Sequence, residues 1–450
     1  MTPTLAAMRF GHGLPLPPGA AVTPAAMLQA LRAPDLMAAR WPGLTMAQVY
    51  PMMVRIEAAR RARRDDEALV PAYRAALAEA VAAAHQGARV TVARSLDATD
   101  GLRERLVAFW ADHFTVTTRA QAGRALPAAF VDEAVRPHVA GRFGDMLKAA
   151  TLHPAMLIYL DQSRSVGPGS RRGAQKGRGL NENLAREVIE LHTLGVGAGY
   201  TQQDVRQMAE LLTGLSVAVK QGRVVFDPRA AEPGPETVLG QSYDGEGTGP
   251  ILAALDDLAV HPATAAHLAR KIAVHMVADD PDPGLVAALQ AAFARSGGDL
   301  MAVYAALLDH PAAWSDVAAK ARPPVEFVTA GLRALGLSGA DVIALPDKRF
   351  AAQVLIPLRA MGQPFQAAPG PDGWPEAAEA WITPSGLSAR ITWAMTAPSR
   401  LVADLPEPVV LARAALGERA DARLIWAVER AESRAEAVGL VFAAPAFNRR

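Results

Sequence analysis

The segment between residues 179 and 195 contains the densest run of side chains that could do chemistry. Glu187 and Glu190 are three residues apart, so on a helix their Cβ atoms lie about 5–6 Å apart and both carboxylates could hold one cation. His192 follows Glu190 by two residues and therefore points to another side of the helix. The pattern predicts a metal site whose two glutamates need imidazole ligands from elsewhere in the chain.

The same helix is expected to carry a polar stripe beside an apolar face. The stripe comprises Asn183, Glu187, Glu190 and Leu194 with Arg186 at its edge, and the apolar face comprises Leu184, Val188, Leu191 and Gly195. Unpaired burial of a carboxylate would cost several kcal/mol or raise its pKa until it bound a proton. Three interpretations stay open: the stripe faces water, it is buried and paired with arginines such as Arg186, or it is buried and neutralised by a cation.

Two histidines could complete a metal site. His113 lies at helical spacing from Phe109 and Trp110, so it is either a satisfied core histidine or an imidazole delivered into a buried site. His153 belongs to the tripeptide His-Pro-Ala, which recurs at residues 261 and 310. Proline in a first helical turn explains these repeats as helix starts. Mixed carboxylate and imidazole ligands suit iron, manganese or zinc, and residue type alone does not choose among them.

The loop from Gln162 to Gly179 precedes this helix and is the most basic loop of the chain. Its basic residues are Arg164, Arg171, Arg172, Lys176 and Arg178. Asn181 is a good helix N-cap, and the N–H groups of a helix N-terminus attract anions. We expect the loop to be mobile without ligand and to bind anionic groups through Arg171, Arg172, Lys176, Arg178 and Asn181. The alternative is a solvated loop without a ligand.

The composition favours a mainly α-helical protein. Half of the 450 residues are apolar, while aromatic residues make up only 6%, and alanine and leucine favour helices over sheets. We expect one large helical domain with a core at about 23–340, a long loop region at 341–385 and C-terminal helices at 386–450. Gln221-Gly222 within residues 217–226 predicts a small β-hairpin, and residues 237–239 could add a short strand.

Charge and cysteine content exclude several classes of function. The net charge of +1 argues against a dedicated nucleic-acid binder. The chain has no cysteine, which excludes disulfides, thiolate metal ligands and cysteine nucleophiles. No apolar run reaches the roughly 18 residues of a membrane span, and the first residues do not read as a signal peptide. The expectation is a soluble, cytoplasmic protein.

Several separate motifs resemble the bacterial family called domain of unknown function 1800. They are Phe109-Trp110 with His113-Phe114, residues 153–161, 179–195, Tyr200-Thr201 with Asp204-Val205, Thr213-Gly214, residues 262–271 and residues 445–450. The resemblance covers nearly the whole chain, and its most specific part is the block from Asn181 to Gly195. It implies no established reaction.

The resemblance also implies a partner, because such genes commonly lie beside one for an exported, sulfatase-like protein of the domain of unknown function 1501 family. Two features depart from the family pattern. Many relatives carry an export signal, and many have a histidine where Ala231 precedes Glu232-Pro233-Gly234 here. Co-export with the partner into the periplasm would reconcile the missing signal with the family. The segment 362–384, with Trp374 and Trp381, is then either the partner surface or a loop packed on the protein itself.

Two functions from different classes follow. The first is a metal-dependent hydrolase or oxidoreductase with Glu187 and Glu190 as ligands and with His113 or His153 completing the site. The second is a non-catalytic helical scaffold that binds the sulfatase-like partner, in which the polar stripe is an ion-pair network.

Overall fold

Many helices of this chain begin at a short polar side chain that accepts a hydrogen bond from the first turn. Thr23 accepts from the Ala26 N–H at 3.2 Å and Asp100 accepts from the Arg103 N–H at 3.2 Å. The three His-Pro-Ala tripeptides work in the same way, because each histidine Nδ1 accepts the N–H of the alanine two residues later, at 3.1–3.3 Å. The prediction that these tripeptides start helices is confirmed.

The computed structural model describes residues 2–118, 120–176, 179–218, 221–315, 317 and 320–450. About 64% of the protein is helical, which confirms the mainly α fold class. The first helices are α1 (Pro3–Arg9), α2 (Pro24–Arg32), α3 (Leu36–Arg40), α4 (Met46–Asp65), α5 (Val70–Asp97), α6 (Gly101–His113), α7 (Leu126–Phe130), α8 (Phe143–Thr151), α9 (Pro154–Tyr159), α10 (Arg171–Lys176), α11 (Asn183–Glu187) and α12 (Gln202–Leu211). π-Helical turns follow α7 at Val131–Val135 and α11 at Val188–Thr193.

The second half of the chain contributes the remaining helices. They are α13 (Gly249–Val260), α14 (Pro262–Met276), α15 (Pro283–Ser296), α16 (Leu300–Asp309), α17 (Pro324–Ala334), α18 (Gly339–Ala344), α19 (Asp347–Phe350), α20 (Ile356–Ala360), α21 (Ala378–Trp381), α22 (Pro384–Thr396), α23 (Pro398–Leu401), α24 (Pro408–Leu416), α25 (Ala422–Glu429) and α26 (Arg434–Ala443). A π-helical turn, Ala351–Leu355, joins α19 to α20. Among the described residues, none of these helices combines the length and the hydropathy that crossing a bilayer requires.

Two small antiparallel hairpins interrupt the helices. Strand β1 (Leu215–Val217) pairs with β2 (Val224–Phe226), with Leu215 opposite Phe226. Strand β3 (Glu236–Val238) pairs with β4 (Gln241–Tyr243). The first hairpin confirms the prediction made from Gln221-Gly222, and the second contains the short strand expected near residues 237–239.

Buried apolar side chains form two clusters. The larger cluster draws on residues from Ala6 to Ala313, and the smaller one combines part of α5 with residues from Phe327 to Phe447. The expected loop region at 341–385 is wrong in its first half, because helices and a π-helical turn cover most of residues 339–360. Irregular chain there is confined to residues 361–377, and this loop lies against α6.

The segment around Glu187 differs from the single α-helix that we expected. α11 has only five residues before the backbone widens into the π-helical turn Val188–Thr193. Its buried side chains are Leu184, Ala185, Val188, Ile189, His192 and Thr193. A π-helix has hydrogen bonds between residues i and i+5, so each of its turns contains more residues than an α-helical turn. The buried side chains therefore repeat every four residues along this segment. His192 therefore lies in the core, while Leu191 is only half-buried.

Candidate active site

The polar stripe is largely an ion-pair network. Arg186 Nη1 binds Glu190 Oε1 at 3.0 Å, and its Nη2 binds Glu182 Oε2 at 3.1 Å. Arg186 also donates to Gln202 Oε1 at 3.0 Å, and Asn183 is exposed. This geometry matches the interpretation in which arginine neutralises the stripe, at least for Glu190.

Glu187 is the exception on this stripe. It is half-buried, and among the described residues its carboxylate has no hydrogen bond or ion pair. Burial, together with the negative charges of Glu190 and Asp372, raises its pKa to about 7, and Arg186 only partly offsets them. Asp372 belongs to the 361–377 loop, so this loop reaches the stripe.

His113 is a core histidine. Its Nε2 lies 3.2 Å from the His192 carbonyl oxygen, and the rings of Trp110 and Phe114 pack edge-on against it at centroid distances of 5.2 and 4.6 Å. Burial holds its pKa well below the usual range, so the imidazole is neutral. The sequence left two interpretations open, and the packing favours the core residue, although its Nδ1 has no hydrogen-bond partner among the described residues.

His153 uses both ring nitrogens in other contacts. Its Nδ1 caps α9 by accepting the Ala155 N–H at 3.2 Å, so Nε2 carries the proton and donates to Glu133 Oε2 at 3.1 Å. Within the described part of the chain, no three His, Cys, Asp or Glu side chains are grouped to hold a metal ion. Glu187, Glu190, His113 and His153 therefore do not form one centre in this structure.

The basic segment before α11 is more structured than expected. It contains the short helix α10, and Arg172 Nη1 binds Asp227 Oδ2 at 2.9 Å, while Arg171 is exposed. Asn181 donates to the Leu160 and Asp161 carbonyls at 3.2 and 3.3 Å and accepts the Asn183 N–H at 2.9 Å. The Lys176 side chain and Arg178 lie outside the described residues. Anion binding by this segment stays a prediction.

A cavity of about 200 Å³ lies between α6 and the 361–377 loop. Ala108, Ala111 and Asp112 of α6 form one wall, and Ala108 is exposed, so solvent reaches the cavity. The opposite wall is aromatic and comprises Phe130, Phe365, Trp374 and Trp381. The two tryptophans lie with ring centroids 5.9 Å apart, and Trp381 is buried. The segment 362–384 thus packs on its own chain, in agreement with the second interpretation of this loop.

Asp112 joins α6 to this loop. Its Oδ1 and Oδ2 accept the Trp374 N–H at 2.9 and 3.2 Å. The preceding residue must be glycine, because Gly373 has φ of +83° and a Cβ there would lie 2.6 Å from Asp112 Oδ2. Burial raises the pKa of Asp112 to about 7, although the Trp374 N–H and Lys271 lower it. The carboxyl group therefore carries a proton close to neutral pH.

His275 and Glu376 form a hydrogen-bonded pair in the cavity wall. His275 Nδ1 lies 2.6 Å from Glu376 Oε1, and Lys320 Nζ lies 2.9 Å from Glu376 Oε2. Although burial opposes it, the hydrogen bond from His275 and the charges of Lys320 and Arg450 hold the pKa of Glu376 far below the usual range, and burial lowers the pKa of His275. Neutral His275 thus donates its Nδ1 proton, and its Nε2 keeps a lone pair without a partner among the described residues.

Lys271 of α14 lies close enough to Asp112 and Glu376 for their charges to act on it. Its side chain is only partly accessible. Burial lowers its pKa, against the charges of Asp112, Glu376 and Asp372, which raise it. His267, Lys271 and His275 follow each other at intervals of four residues on α14, so they share one helix face. This spacing is the signal in the sequence that could have revealed His275.

Comparison with known protein families matches residues 18–449 to the family described as protein of unknown function (DUF1800). Comparison with curated proteins and with solved structures gave no match. The family match covers almost the entire chain, including α6, α14 and the 361–377 loop that form the cavity. The chain therefore belongs to the DUF1800 family of proteins of unknown function.

Proposed function

We propose that this protein is a hydrolytic enzyme that uses general acid–base catalysis on a small molecule in the cavity beside α6. The observation that carries the proposal is the 2.6 Å hydrogen bond between His275 Nδ1 and Glu376 Oε1 in the cavity wall, with His275 Nε2 left unpartnered. A carboxylate that orients a histidine in this way leaves the second nitrogen able to take a proton.

Asp112 supplies the complementary acid in this proposal. Its pKa of about 7 and the lowered pKa of His275 give an acid and a base at the same pH, as acid–base enzymes require. His275 Nε2 takes a proton from water while the water oxygen bonds to the electrophilic carbon of the substrate. The Asp112 carboxyl then protonates the oxygen of the leaving group as its bond to that carbon breaks.

A panel of p-nitrophenyl acyl esters tests this function. We expect hydrolysis above the spontaneous rate, and a loss of at least about a hundredfold in kcat/KM in His275→Gln. His138→Gln, which changes a histidine outside the cavity wall, is the control and should retain activity. Hydrolysis that is equal in His275→Gln and the parent protein would refute the role of His275, and absence of hydrolysis across the panel would refute the ester-hydrolase form of the proposal.

A metal-dependent enzyme is the second candidate, and the unpaired carboxylate of Glu187 is the observation that favours it. Iron, manganese or zinc held by Glu187 and Glu190 would relieve the repulsion that raises the pKa of Glu187. Elemental analysis of protein purified without chelator is the test. Metal that decreases in Glu187→Gln supports the candidate, and metal-free protein with normal activity removes it.

A scaffold for the sulfatase-like partner remains a separate proposal that rests on the family resemblance. The burial of Trp381 against the cavity favours the other interpretation of residues 362–384, a loop packed on its own chain. Co-purification from cells with and without the partner gene, combined with fractionation of cytoplasm and periplasm, tests both binding and co-export. Protein that stays in the cytoplasm in both strains refutes co-export.

A further inference from the structure

We propose that the cavity beside α6 binds an uncharged molecule that contains one ring and a hydrogen-bond acceptor. This inference names the substrate class of the proposed hydrolytic site and rests on that site being the place of reaction. Size, wall chemistry and the pairing of the charged side chains support it independently of any turnover.

The size and the walls fit a single ring. An apolar cavity of about 150 Å³ can bind benzene, and this cavity measures about 200 Å³, which leaves room for a ring with a small substituent. Phe130, Phe365, Trp374 and Trp381 present ring surfaces, and aromatic rings stack or pack edge-on against a ligand ring.

The charged side chains of the wall already neutralise each other. The pairs, with their closest N–O distances, are Arg94–Asp132 at 2.5 Å, Arg136–Glu104 at 2.5 Å, Arg105–Glu326 at 2.7 Å and Lys320–Glu376 at 2.9 Å. Asp112, whose pKa of about 7 keeps it largely uncharged below neutral pH, accepts the Trp374 N–H. Among these described groups no formal charge is left to pair with a charged ligand, so a charged ligand would lose its hydration without compensation.

One wall residue offers an unused donor. Trp381 is 3% exposed, and its Nε1 has no hydrogen-bond partner among the described residues. A buried indole N–H usually finds an acceptor, and leaving it unpaired costs free energy. An ester or ketone oxygen on the ligand would supply the acceptor after a small shift of the ring.

Fluorine NMR with three ring compounds of similar size tests the inference at about pH 6, where Asp112 keeps its proton. We expect 4-fluorophenol to bind at least tenfold more tightly than anionic 4-fluorobenzoate and cationic 4-fluorobenzylamine. Ala108→Trp fills the cavity and should weaken 4-fluorophenol binding at least tenfold. The control Ala75→Trp changes an exposed alanine of α5 outside the cavity wall and should leave binding unchanged. Trp381→Phe, which removes the N–H donor together with one ring of the indole, should weaken binding at least threefold.

The binding and hydrolysis measurements together distinguish failure of this inference from failure of the proposed function. Binding of 4-fluorophenol that persists in His275→Gln, together with absent ester hydrolysis, would refute the hydrolase and keep the ligand class. Equal or tighter binding of either charged compound, or full binding in Ala108→Trp, would overturn the ligand class whatever the enzyme assay shows.

Discussion

Asp112 and Glu326 both lie in the wall of the cavity, and the groups around them give their carboxyls different protonation states. Burial raises the pKa of both Asp112 and Glu326. At Glu326 the charges of Arg105 and Arg450 outweigh burial, and the pKa falls to about 2. Asp112 accepts a single backbone N–H, and its pKa rises to about 7. The same side-chain chemistry therefore gives a permanent anion at one position and a proton donor at the other.

Asp112→Asn should change how stability depends on pH. The folded protein keeps the Asp112 proton up to about pH 7, whereas the unfolded chain releases it near 3.8. The contribution of Asp112 to stability is therefore fully present below pH 3.8 and is lost as the pH rises to about 7. Asparagine preserves an acceptor for Trp374 without this loss.

We expect the free energy of unfolding of Asp112→Asn, relative to the parent protein, to rise by about 1–2 kcal/mol between about pH 4 and pH 8. One pKa unit corresponds to about 1.4 kcal/mol, and partial solvent access reduces the full effect. Urea unfolding at both pH values measures it. Parallel pH profiles for the two proteins would show that the carboxyl titrates normally.

At the scale of elements, the π-helical turn after α11 explains why the site prediction succeeded only in part. The sequence located the helix start near Asn181 and the core positions of Leu184 and Val188, because both follow from capping and apolar spacing. It placed His192 outside the core, since a wheel of 100° per residue assumes α-helical geometry. The apolar pattern contains no signal for the π-helical turn. Formation of this turn depends on tertiary contacts and on the Thr193 side chain.

Thr193 stabilises this turn through a buried hydrogen bond. Its Oγ1 donates to the Val188 carbonyl at 2.6 Å, five residues earlier. We expect Thr193→Val to lower the free energy of unfolding by about 1–2 kcal/mol, because the substitution keeps the shape and removes the donor. Thr396→Val removes a hydrogen bond of similar geometry on the exposed face of α22 and should change stability by less than about 0.5 kcal/mol. Equal effects in urea unfolding would contradict the role of Thr193.

At the scale of the whole molecule, the site is made by residues that are far apart in the sequence. Composition and capping signals sufficed to predict a mainly α fold and the first hairpin, because both are local properties. Asp112, His275 and Glu376 meet only through the packing of α6, α14 and the 361–377 loop. Helical periodicity indicates the buried face of each helix but not the helix that packs against it, so it offers no reason to connect these residues.

The hydrogen bond between Asp112 of α6 and Trp374 of the 361–377 loop should limit the mobility of the loop. Asp112→Ala removes the acceptor for the Trp374 N–H, while Asp112→Asn retains one. We expect amide hydrogen exchange across residues 365–377 to accelerate at least tenfold in Asp112→Ala and to stay within about threefold of the parent protein in Asp112→Asn. Unchanged exchange in the alanine variant would mean that apolar packing alone holds the loop.

Nitrogen-15 NMR of the His275 ring tests the proposed base most directly. If His275 is a neutral base oriented by Glu376, its Nδ1 carries the proton and its Nε2 stays unprotonated from about pH 7 to pH 8, since burial lowers the pKa of the ring. Glu376→Gln should alter the Nδ1 shift, while Glu379→Gln, an exposed neighbour, should not. A ring that carries its proton on Nε2, or on both nitrogens throughout this range, would contradict the proposed role of His275.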